Sequence, residues 1–384
     1  MSSSPSFSSA DREYMALAIQ CAKRGLYTVT PNPAVGCVLV RDRKIVGQGW
    51  HQFAGQAHAE VNALKEAGSE AEGATAYVTL EPCNHEGRTG ACCEALISAG
   101  VSRVVSAMQD PNPQVAGAGH ARLSDAGLRV ASGLLANEAA ALNLGFIKRM
   151  QYQLPYVSCK MAMSLDGRAA MASGESQWIT GAPARQKVQQ LRAASCVIVT
   201  GIGTVLQDDP ALNVRQVDSL DNNADEVMIR QPDLLIIDSL LRTPATASVL
   251  AKESLSSRRI FVVCAEGADT EQKKVLEALG VTVVSLPDDS NCRAVNLLSV
   301  LRFLAKQEKN HVLVEAGPTL AGQFIEQALL DQLKIFIAPK IMGSEAQPVF
   351  KLPLAAMSST IGLTIDDVNA VGDDWLFTCS LSSS

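Results

Sequence analysis

Hydrophobic positions in the first third of the chain switch between helical and extended spacing. Apolar residues three and four positions apart, from Met15 to Ala22, predict a helix that ends at Gly25. An unbroken apolar run over 35–40 predicts a buried strand, with 44–50 as its hairpin partner. Strands that alternate with helices indicate an α/β layer fold. The same pattern predicts helices over 58–67 and 91–99 and strands over 76–80 and 101–107.

The rest of the chain continues this alternation. A polar segment over 148–155 ends in a proline, and its position predicts two domains, 1–150 and 151–384. The acidic segment 217–226 is predicted to be a surface hairpin or loop. Strands are predicted over 156–163, 196–200, 233–238, 259–264, 281–286, 311–315, 332–338, 360–368 and 374–380, and helices over 183–193, 270–279, 294–307 and 317–328.

The composition narrows the class of protein. With 33 basic and 39 acidic residues the net charge is −6, which argues against a nucleic-acid partner. No apolar stretch approaches the ~18 residues of a membrane span, and the Ser-rich N-terminus lacks the pattern of a signal peptide. The 10 cysteines are spread over a long chain, which favours free or metal-bound thiols over disulfides. We therefore expect a cytoplasmic protein without a membrane partner.

Three residues of the kind that bind metal ions lie near the start of the chain: His58, Cys83 and Cys92. One imidazole and two thiolates can hold Zn²⁺ and leave its fourth position open for water. His58 and Cys92 fall at predicted helix starts, where the helix dipole favours negative charge. Glu60 remains available to move a proton from that water to a ring nitrogen and to departing ammonia. The combination predicts zinc-dependent deamination of a heterocycle.

Two features of this pattern leave alternatives open. Cys93 is adjacent to Cys92 and could be the ligand in its place. Eight residues separate Cys83 from Cys92, whereas the general nucleobase-deaminase signature has two. A structural zinc module is the competing interpretation, and a fourth protein ligand on the ion would support it.

The second half offers weaker chemical signals. Gly317-Pro318 follows an apolar strand and opens a predicted helix, so its backbone amides could bind an anion, although an ordinary turn has the same pattern. Arg185, Gln189 and Arg192 share one helix face, which is either a solvated surface or part of a phosphate site.

Several motifs of the first half resemble a known family. They are the segments 31–37 (PNPAVGC), 58–60 (HAE), 79–92 (TLEPCNHEGRTGAC) and 110–113 (DPNP). They resemble the deaminase half of the RibD family of riboflavin-biosynthesis enzymes, which shares the eight-residue gap between thiols. Asn84 and Gly90-Ala91 are mild departures from that family's usual residues. The resemblance implies a cytidine-deaminase-like three-layer α/β/α domain, with pyrimidine and phosphate contacts from Asn32, His51, His85 and Arg88.

Motifs of the second half resemble the reductase half of the same family. They are 164–168 (SLDGR), 173–181 (SGESQWITG), 203–212 (GTVLQDDPAL) and 314–317 (VEAG). The resemblance implies a dihydrofolate-reductase-like α/β domain that uses NADPH, with Lys160 and Asp208 as candidates for the catalytic acid. The implied NADPH contacts are Ala162, Trp178, Thr204, Asp208, Ser239, Gly317, Pro318, Thr319, Leu320, Ala321, Gly322 and Gln323. The implied contacts to the sugar phosphate are Ser176, Arg192, Leu212, Arg215 and Glu315.

Together the resemblances imply a bifunctional enzyme that acts on phosphorylated pyrimidines, with Zn²⁺ and NADPH as cofactors. Zinc-activated water would deaminate a diaminopyrimidine phosphate, and NADPH would then reduce the ribosyl group of the aminouracil product to a ribityl chain. We also expect a homo-oligomer formed through the reductase domain. Two alternatives are a nucleoside or tRNA deaminase fused to an unrelated reductase-like domain, and a deaminase whose second half is a degenerate scaffold.

Overall fold

The structure is a computed structural model of the 384-residue chain. It describes residues 7–84, 90–113, 115–215, 217, 229–288 and 291–381, and, at 291 and 292, the backbone alone. The described residues up to Gln153 form one compact unit, and most of those from Leu154 onwards form another. None of the described helices has the length and apolar character needed to cross a membrane.

The N-terminal unit is built on a five-stranded sheet in the order β2-β1-β3-β4-β5. The β2-β1-β3 pairs are antiparallel, and the β3-β4-β5 pairs are parallel. The strands β1 to β5 are Gly36–Arg41, Lys44–Trp50, Thr75–Val78, Arg103–Ser106 and Arg129–Ser132. The helices α1 to α6 are Ser9–Lys23, Ala59–Ala67, Cys92–Ser98, Ala118–Asp125, Ala136–Ala141 and Leu144–Tyr152.

Helices cover both faces of this sheet, which gives three layers. Because side chains alternate along a strand, Cys37 and Leu39 of β1 face one core, and Val38 and Val40 face the other. The first core includes α2 and α3, and the second includes α1. The predicted α/β/α arrangement is therefore confirmed for this unit.

The C-terminal unit is built on a nine-stranded sheet in the order β11-β10-β9-β8-β14-β6-β15-β18-β17. Read along this order, the seven strands from β11 to β15 are parallel to their neighbours. The strand β18 then pairs antiparallel with β15, and β17 pairs antiparallel with β18. The nine strands, in chain order, are β6 Tyr156–Ser164, β8 Val197–Gly201, β9 Asp233–Ile237, β10 Ile260–Cys264, β11 Thr282–Ser285, β14 His311–Val314, β15 Gln332–Ala338, β17 Leu363–Val371 and β18 Asp374–Leu381.

Helices and two short ladders complete this unit. The ladders pair β7 with β16 and β12 with β13. The central strands are mostly apolar, as expected where both sheet faces are covered. The short strands are β7 Arg168–Ala170, β12 Pro287–Asp288, β13 Asn291–Val295 and β16 Gln347–Pro348. The helices α7 to α12 are Ala182–Ala193, Ile202–Asp208, Lys252–Ser257, Thr270–Ala278, Leu297–Lys306 and Pro318–Glu326.

Three sequence predictions need correction. The supposed polar linker over 148–155 begins as the end of α6, which runs to Tyr152. The helix predicted over 294–307 begins at Leu297 instead, because Asn296 is its N-cap and the residues before it form β13. The strand predicted over 360–368 begins at Leu363 and continues to Val371. The predicted loop over 217–226 lies outside the described residues, apart from Val217.

Candidate active sites

His58, Cys83 and Cys92 come together in the N-terminal unit. Their ligand atoms lie within 4.8 Å of one another. Nδ1 of His58 is 3.6 Å from Sγ of Cys83 and 3.3 Å from Sγ of Cys92. A tetrahedral zinc ion with ordinary Zn–N and Zn–S bonds separates such atoms by about 3.6 Å. This donor set therefore fits zinc with one coordination position left over.

Each of these residues is delivered by a different element. His58 is the N-cap of α2, Cys92 is the first residue of α3, and Cys83 lies in the loop after β3. The backbone N–H of Cys92 donates to Sγ of Cys83 at 3.3 Å. A hydrogen bond from the Cys92 thiol, followed by one from His58, lowers the pKa of Cys83 to about 4. The site thus stabilises negative charge on the Cys83 sulfur, while the hydrogen bond with Cys83, and then burial, raise the pKa of the Cys92 thiol.

Cys93 points elsewhere. Its thiol donates to the carbonyl oxygens of Pro82, at 3.3 Å, and Gly119, at 3.5 Å. The geometry therefore favours Cys92 over Cys93 as the metal ligand.

Glu60 lies in the first turn of α2 beside this cluster. Its side chain is buried, and burial raises its pKa to about 7, with a smaller contribution from the negative charge of Cys83. A hydrogen bond with Cys92 acts in the opposite direction. A carboxyl group whose pKa lies near neutral pH can both accept and release a proton, as a general acid–base catalyst must.

Glu81 is a supporting residue that the sequence analysis did not single out. Its buried carboxylate accepts four backbone hydrogen bonds, from the N–H groups of Asp110, Gly117, Gly119 and His120, at 3.1, 2.9, 2.8 and 3.2 Å. The loop is closed tightly over Pro82, since a Cβ at Gly119 would lie 2.0 Å from the Pro82 carbonyl oxygen. Glu81 thereby fixes the backbone next to Cys83. The sequence signal that could have identified Glu81 is its position directly before Pro82 and the predicted ligand Cys83.

Asn32 and His51 form a second supporting pair. Nδ2 of Asn32 is 3.0 Å from Nε2 of His51, whose Nδ1 is 3.0 Å from the carbonyl oxygen of Ala57. Burial lowers the pKa of His51, which favours the neutral form of its ring. Both ring nitrogens are engaged within the protein, which makes His51 a support for Asn32. His85 and Arg88, also predicted to contact substrate, lie outside the described residues.

The C-terminal unit brings Lys160, Arg192 and Glu315 together. Nε and Nη2 of Arg192 donate to the two carboxylate oxygens of Glu315 at 2.7 and 2.9 Å. Burial lowers the pKa of Lys160, while Glu315 opposes that shift. Burial also raises the pKa of Glu315, but Arg192 prevails and the net shift is downward. The cluster joins the middle of β6, which carries Lys160, to the residue directly after the neighbouring strand β14, which is Glu315.

The loop after α8 carries further predicted substrate contacts. Nη1 of Arg192 donates to the carbonyl oxygen of Asn213 at 3.0 Å, and Gln189 accepts from the backbone N–H of Arg215, also at 3.0 Å. The Leu212 side chain packs in the core, so any substrate contact from Leu212 must use its backbone. Asp208 is hydrogen-bonded to Ser176, and burial raises its pKa.

The predicted cofactor residues lie largely at the carboxyl ends of β8 and β14. Gly317 is the N-cap of α12, with Pro318 in the first turn and without a side-chain cap. A Cβ at Gly317 would lie 4.0 Å from Thr204 Oγ1, and one at Gly201 would lie 3.2 Å from Leu320. A helix start whose amides are not capped by a side chain fits the diphosphate of a dinucleotide.

Other predicted cofactor residues are placed as follows. Ala321 and Gly322 are buried against the core. Trp178 is exposed, with the Arg185 guanidinium 4.5 Å from the centre of its ring. Ala162 is a half-buried residue of β6, and Ser239 follows the end of β9. Gln323, on the exposed side of α12, completes the set.

Comparison with known proteins covers both units. The family model "RibD C-terminal domain" matches residues 155–377, and "Cytidine and deoxycytidylate deaminase zinc-binding region" matches residues 8–108. The riboflavin biosynthesis protein RibD of Escherichia coli strain K12 is 47% identical over 370 residues, which cover 95% of this chain and 97% of that protein.

Solved structures agree with these matches. Acinetobacter baumannii RibD has a TM-score of 0.88 at 43% identity, covering 97% of this chain and 99% of its own. A Thermotoga maritima structure has a TM-score of 0.83 at 31% identity, with the same coverage. That protein is described as a diaminohydroxyphosphoribosylaminopyrimidine deaminase/5-amino-6-(5-phosphoribosylamino)uracil reductase.

Fold, metal cluster and matches define a zinc-dependent deaminase joined to a reductase domain. The similarity extends over nearly the whole chain, at identities well above 30%. The chain belongs to the RibD family of riboflavin-biosynthesis proteins. The predicted fold class, enzyme classes and cofactors, zinc and NADPH, are confirmed. A nucleoside or tRNA deaminase with an unrelated second domain is not favoured, because the reductase half also matches.

Substitution at the paired cysteines tests the metal centre. We expect Cys92→Ala to lose bound zinc, because two remaining ligands hold the ion poorly, and Cys93→Ala to keep about one zinc per chain. Metal content of each purified variant, measured by plasma mass spectrometry beside the wild type, gives the result. Zinc retained by Cys92→Ala and lost by Cys93→Ala would reverse the assignment.

Proposed function

We propose that this chain catalyses two successive steps of riboflavin synthesis. The first is deamination of 2,5-diamino-6-(5-phosphoribosylamino)pyrimidin-4-one, and the second is reduction of 5-amino-6-(5-phosphoribosylamino)uracil by NADPH. The first step is assigned to a domain spanning 1–150 and the second to a domain spanning 151–384. The observation that carries the proposal is the His58–Cys83–Cys92 cluster beside Glu60, in a chain similar along its length to a protein named for both activities.

In the first step, bound zinc would act as a Lewis acid and lower the pKa of a water molecule toward neutral pH. Glu60 takes a proton from the attacking water, passes one to the pyrimidine ring and helps ammonia to leave. Water replaces the amino group, so the products are the aminouracil and ammonia. Asn32, held by His51, presents a side-chain amide that can pair with the edge of the heterocycle.

In the second step, bound NADPH would supply the hydride, and the group to be reduced is the open-chain imine form of the ribosyl group. The imine nitrogen then needs a proton. Lys160 is our first candidate for its donor, because burial lowers the pKa of the ammonium and makes it a stronger acid. Asp208 is the alternative. Ser176, Arg192, Leu212, Arg215 and Glu315 are proposed to hold the sugar phosphate.

The proposal predicts a coupled assay. Purified protein given the diaminopyrimidine phosphate should release ammonia and then oxidise NADPH, with about one equivalent of each per substrate because one amine leaves and one imine is reduced. Ammonia is measured enzymatically, and NADPH by absorbance. Ammonia release by the zinc-loaded protein without NADPH oxidation would show that the second half is a degenerate scaffold.

Replacing the proposed proton carrier should separate the two activities. We expect Glu60→Gln to lower kcat for deamination by about 10²–10⁴, because the amide cannot carry the proton. The variant should keep its zinc and should still reduce the aminouracil phosphate when this is supplied directly. Full deaminase activity in Glu60→Gln would remove Glu60 from the mechanism.

We further propose that the protein is a homo-oligomer formed through the reductase domain. The edge strand β17 has nine residues, and all but one of them are exposed. Leu363, Ile365 and Val368 are exposed apolar residues of this strand, and Trp375 of β18, paired with Ala370, is exposed as well. A long exposed edge with apolar side chains favours pairing with another chain, and a second copy supplies the same edge.

Light scattering tests this surface. The wild type should have a mass that is a multiple of 40.7 kDa, while the double variant Ile365→Lys/Val368→Lys should dissociate because burying the new charges is costly. Leu17→Lys, at an exposed position of α1, is the matched control and should keep the wild-type mass. A wild type of 40.7 kDa would exclude the oligomer.

A further inference from the structure

The loop after α8 carries two of the proposed sugar-phosphate contacts, and side chains from elsewhere in the reductase domain hold its backbone. The stretch 209–215 of this loop contains no helix or strand. Leu212 has a φ of 45°, in the left-handed region that a leucine rarely adopts. The side-chain amide of Gln231 accepts from the N–H of Val214 at 2.9 Å and donates to its carbonyl oxygen at 2.7 Å. The loop needs such restraints, because a backbone in a rarely populated conformation persists only where its surroundings fix it.

Arg258, the residue directly after α9, holds the part of the loop around Leu212. The arginine is only 7% exposed. Its Nη1 donates to the carbonyl oxygen of Leu212, and its Nη2 donates to that of Ala211 at 2.8 Å. These carbonyls belong to the two peptide groups on either side of Leu212. Because a guanidinium presents its donors in a rigid planar fork, Arg258 fixes the orientation of both peptide groups at once.

The orientation of these peptide groups turns two N–H groups away from the guanidinium. In a trans peptide the N–H points opposite to the carbonyl, so the N–H groups of Leu212 and Asn213 point away from Arg258. Within the part of the chain that the structure describes, neither of them donates to a protein acceptor. Consecutive amides beside a left-handed residue form a concavity that binds anions. The carbonyl oxygen of Asn213 accepts from Arg192, which also pairs with Glu315, so the concavity adjoins the charged cluster.

The charge of Arg258 has no local counter-charge. Burial, followed by the charge of Arg192, lowers the pKa of Arg258 to about 10, which leaves it charged at neutral pH. None of the described carboxylates forms an ion pair with it, and its Nε has no hydrogen-bond partner among the described residues. Asp233 acts on it at longer range but is already paired with Arg259 and Lys309, at 3.0 and 2.7 Å. A buried cation of this kind favours an anion nearby.

We infer that Arg258 is a positioning residue of the reductase, which aligns the N–H groups of Leu212 and Asn213 to bind the phosphate of the substrate and places a positive charge behind them. The inference rests on the proposed reductase function. A phosphate monoester carries nearly two negative charges and strong acceptor oxygens, so it can satisfy both amides and offset the buried charge. Arg258 acts through the loop backbone and through its charge, without contact with the substrate. The competing interpretation is that Arg258 only stabilises the folded loop.

Kinetics of the full-length protein with and without the substrate phosphate separate these interpretations. Arg258→Met keeps the length of the side chain but removes its donors and its charge. We expect it to raise the KM of the aminouracil phosphate about 10- to 100-fold, because two charge-assisted hydrogen bonds and one positive charge are lost. The kcat and the KM of NADPH should change less than about three-fold. The dephosphorylated aminouracil should be reduced with the same kcat/KM by the wild type and by Arg258→Met, because it has no phosphate for the loop to bind.

Two further variants complete the experiment. Arg258→Lys keeps the charge but not the planar fork, so its KM for the aminouracil phosphate should lie between those of the wild type and Arg258→Met. Arg259→Gln is the matched control, because it removes one charge at the next residue while Asp233 keeps its pair with Lys309. All of its kinetic constants should stay at wild-type values.

Calorimetric titration with NADP⁺ shows whether the reductase domain of each variant is folded. If Arg258→Met does not bind NADP⁺, the comparison of the two substrates is made on Arg258→Lys. Equal losses with the phosphorylated and the dephosphorylated substrate, or a wild-type KM for the aminouracil phosphate in a variant that binds NADP⁺, would overturn the inference. A wild type that does not oxidise NADPH with the aminouracil phosphate would overturn the reductase proposal itself.

Discussion

The deaminase site depends on how closely α2 lies against strand β2. Gly47 and Gly49 of β2 face this helix, and a Cβ at either position would lie 2.3 Å from a helix carbonyl oxygen, of Ala63 or Ala59 respectively. Any larger residue would push α2 outward. Because His58 caps the helix and Glu60 lies in its first turn, displacement would separate the imidazole from the thiols and the carboxyl group from the reacting water. Backbone packing therefore sets the geometry of the metal centre.

Each of the two proposed active sites contains a buried glutamate, and the surroundings of the two carboxyl groups shift their pKa values in opposite directions. In the deaminase, Glu60 is buried beside the cysteine ligands, and burial raises the pKa of its carboxyl group to about 7. In the reductase, Glu315 is equally buried, but it remains ionised because the guanidinium of Arg192 pairs with both of its oxygens. The difference suits their proposed roles, since Glu60 is proposed to exchange protons, whereas the Arg192–Glu315 pair is proposed to hold the sugar phosphate in a fixed position.

The fold was predictable where the hydrophobic pattern is long and regular. The helix α1 and the central strands of both sheets follow directly from their apolar positions. The hydrophobic pattern indicates the wrong element where local sequence and tertiary contact disagree. Residues 148–152 are polar enough to suggest a linker, yet they complete α6. Ala294 and Val295 continue an apolar helical pattern, but a strand partner in β12 makes them extended. Such choices depend on neighbours distant in sequence.

By itself the sequence determined the chemistry that the site can perform. One imidazole, two thiols and an acid near the imidazole specify a zinc deaminase, and the ordered motifs of both halves specify the RibD family. Only the tertiary structure decided which atoms meet. It directed Cys92 toward His58 and Cys93 toward backbone carbonyls, used both nitrogens of His51 internally, and made Glu81 the anchor of a distant loop. The reason is that residue type sets what a side chain can bind, whereas backbone direction and packing set what lies within its reach.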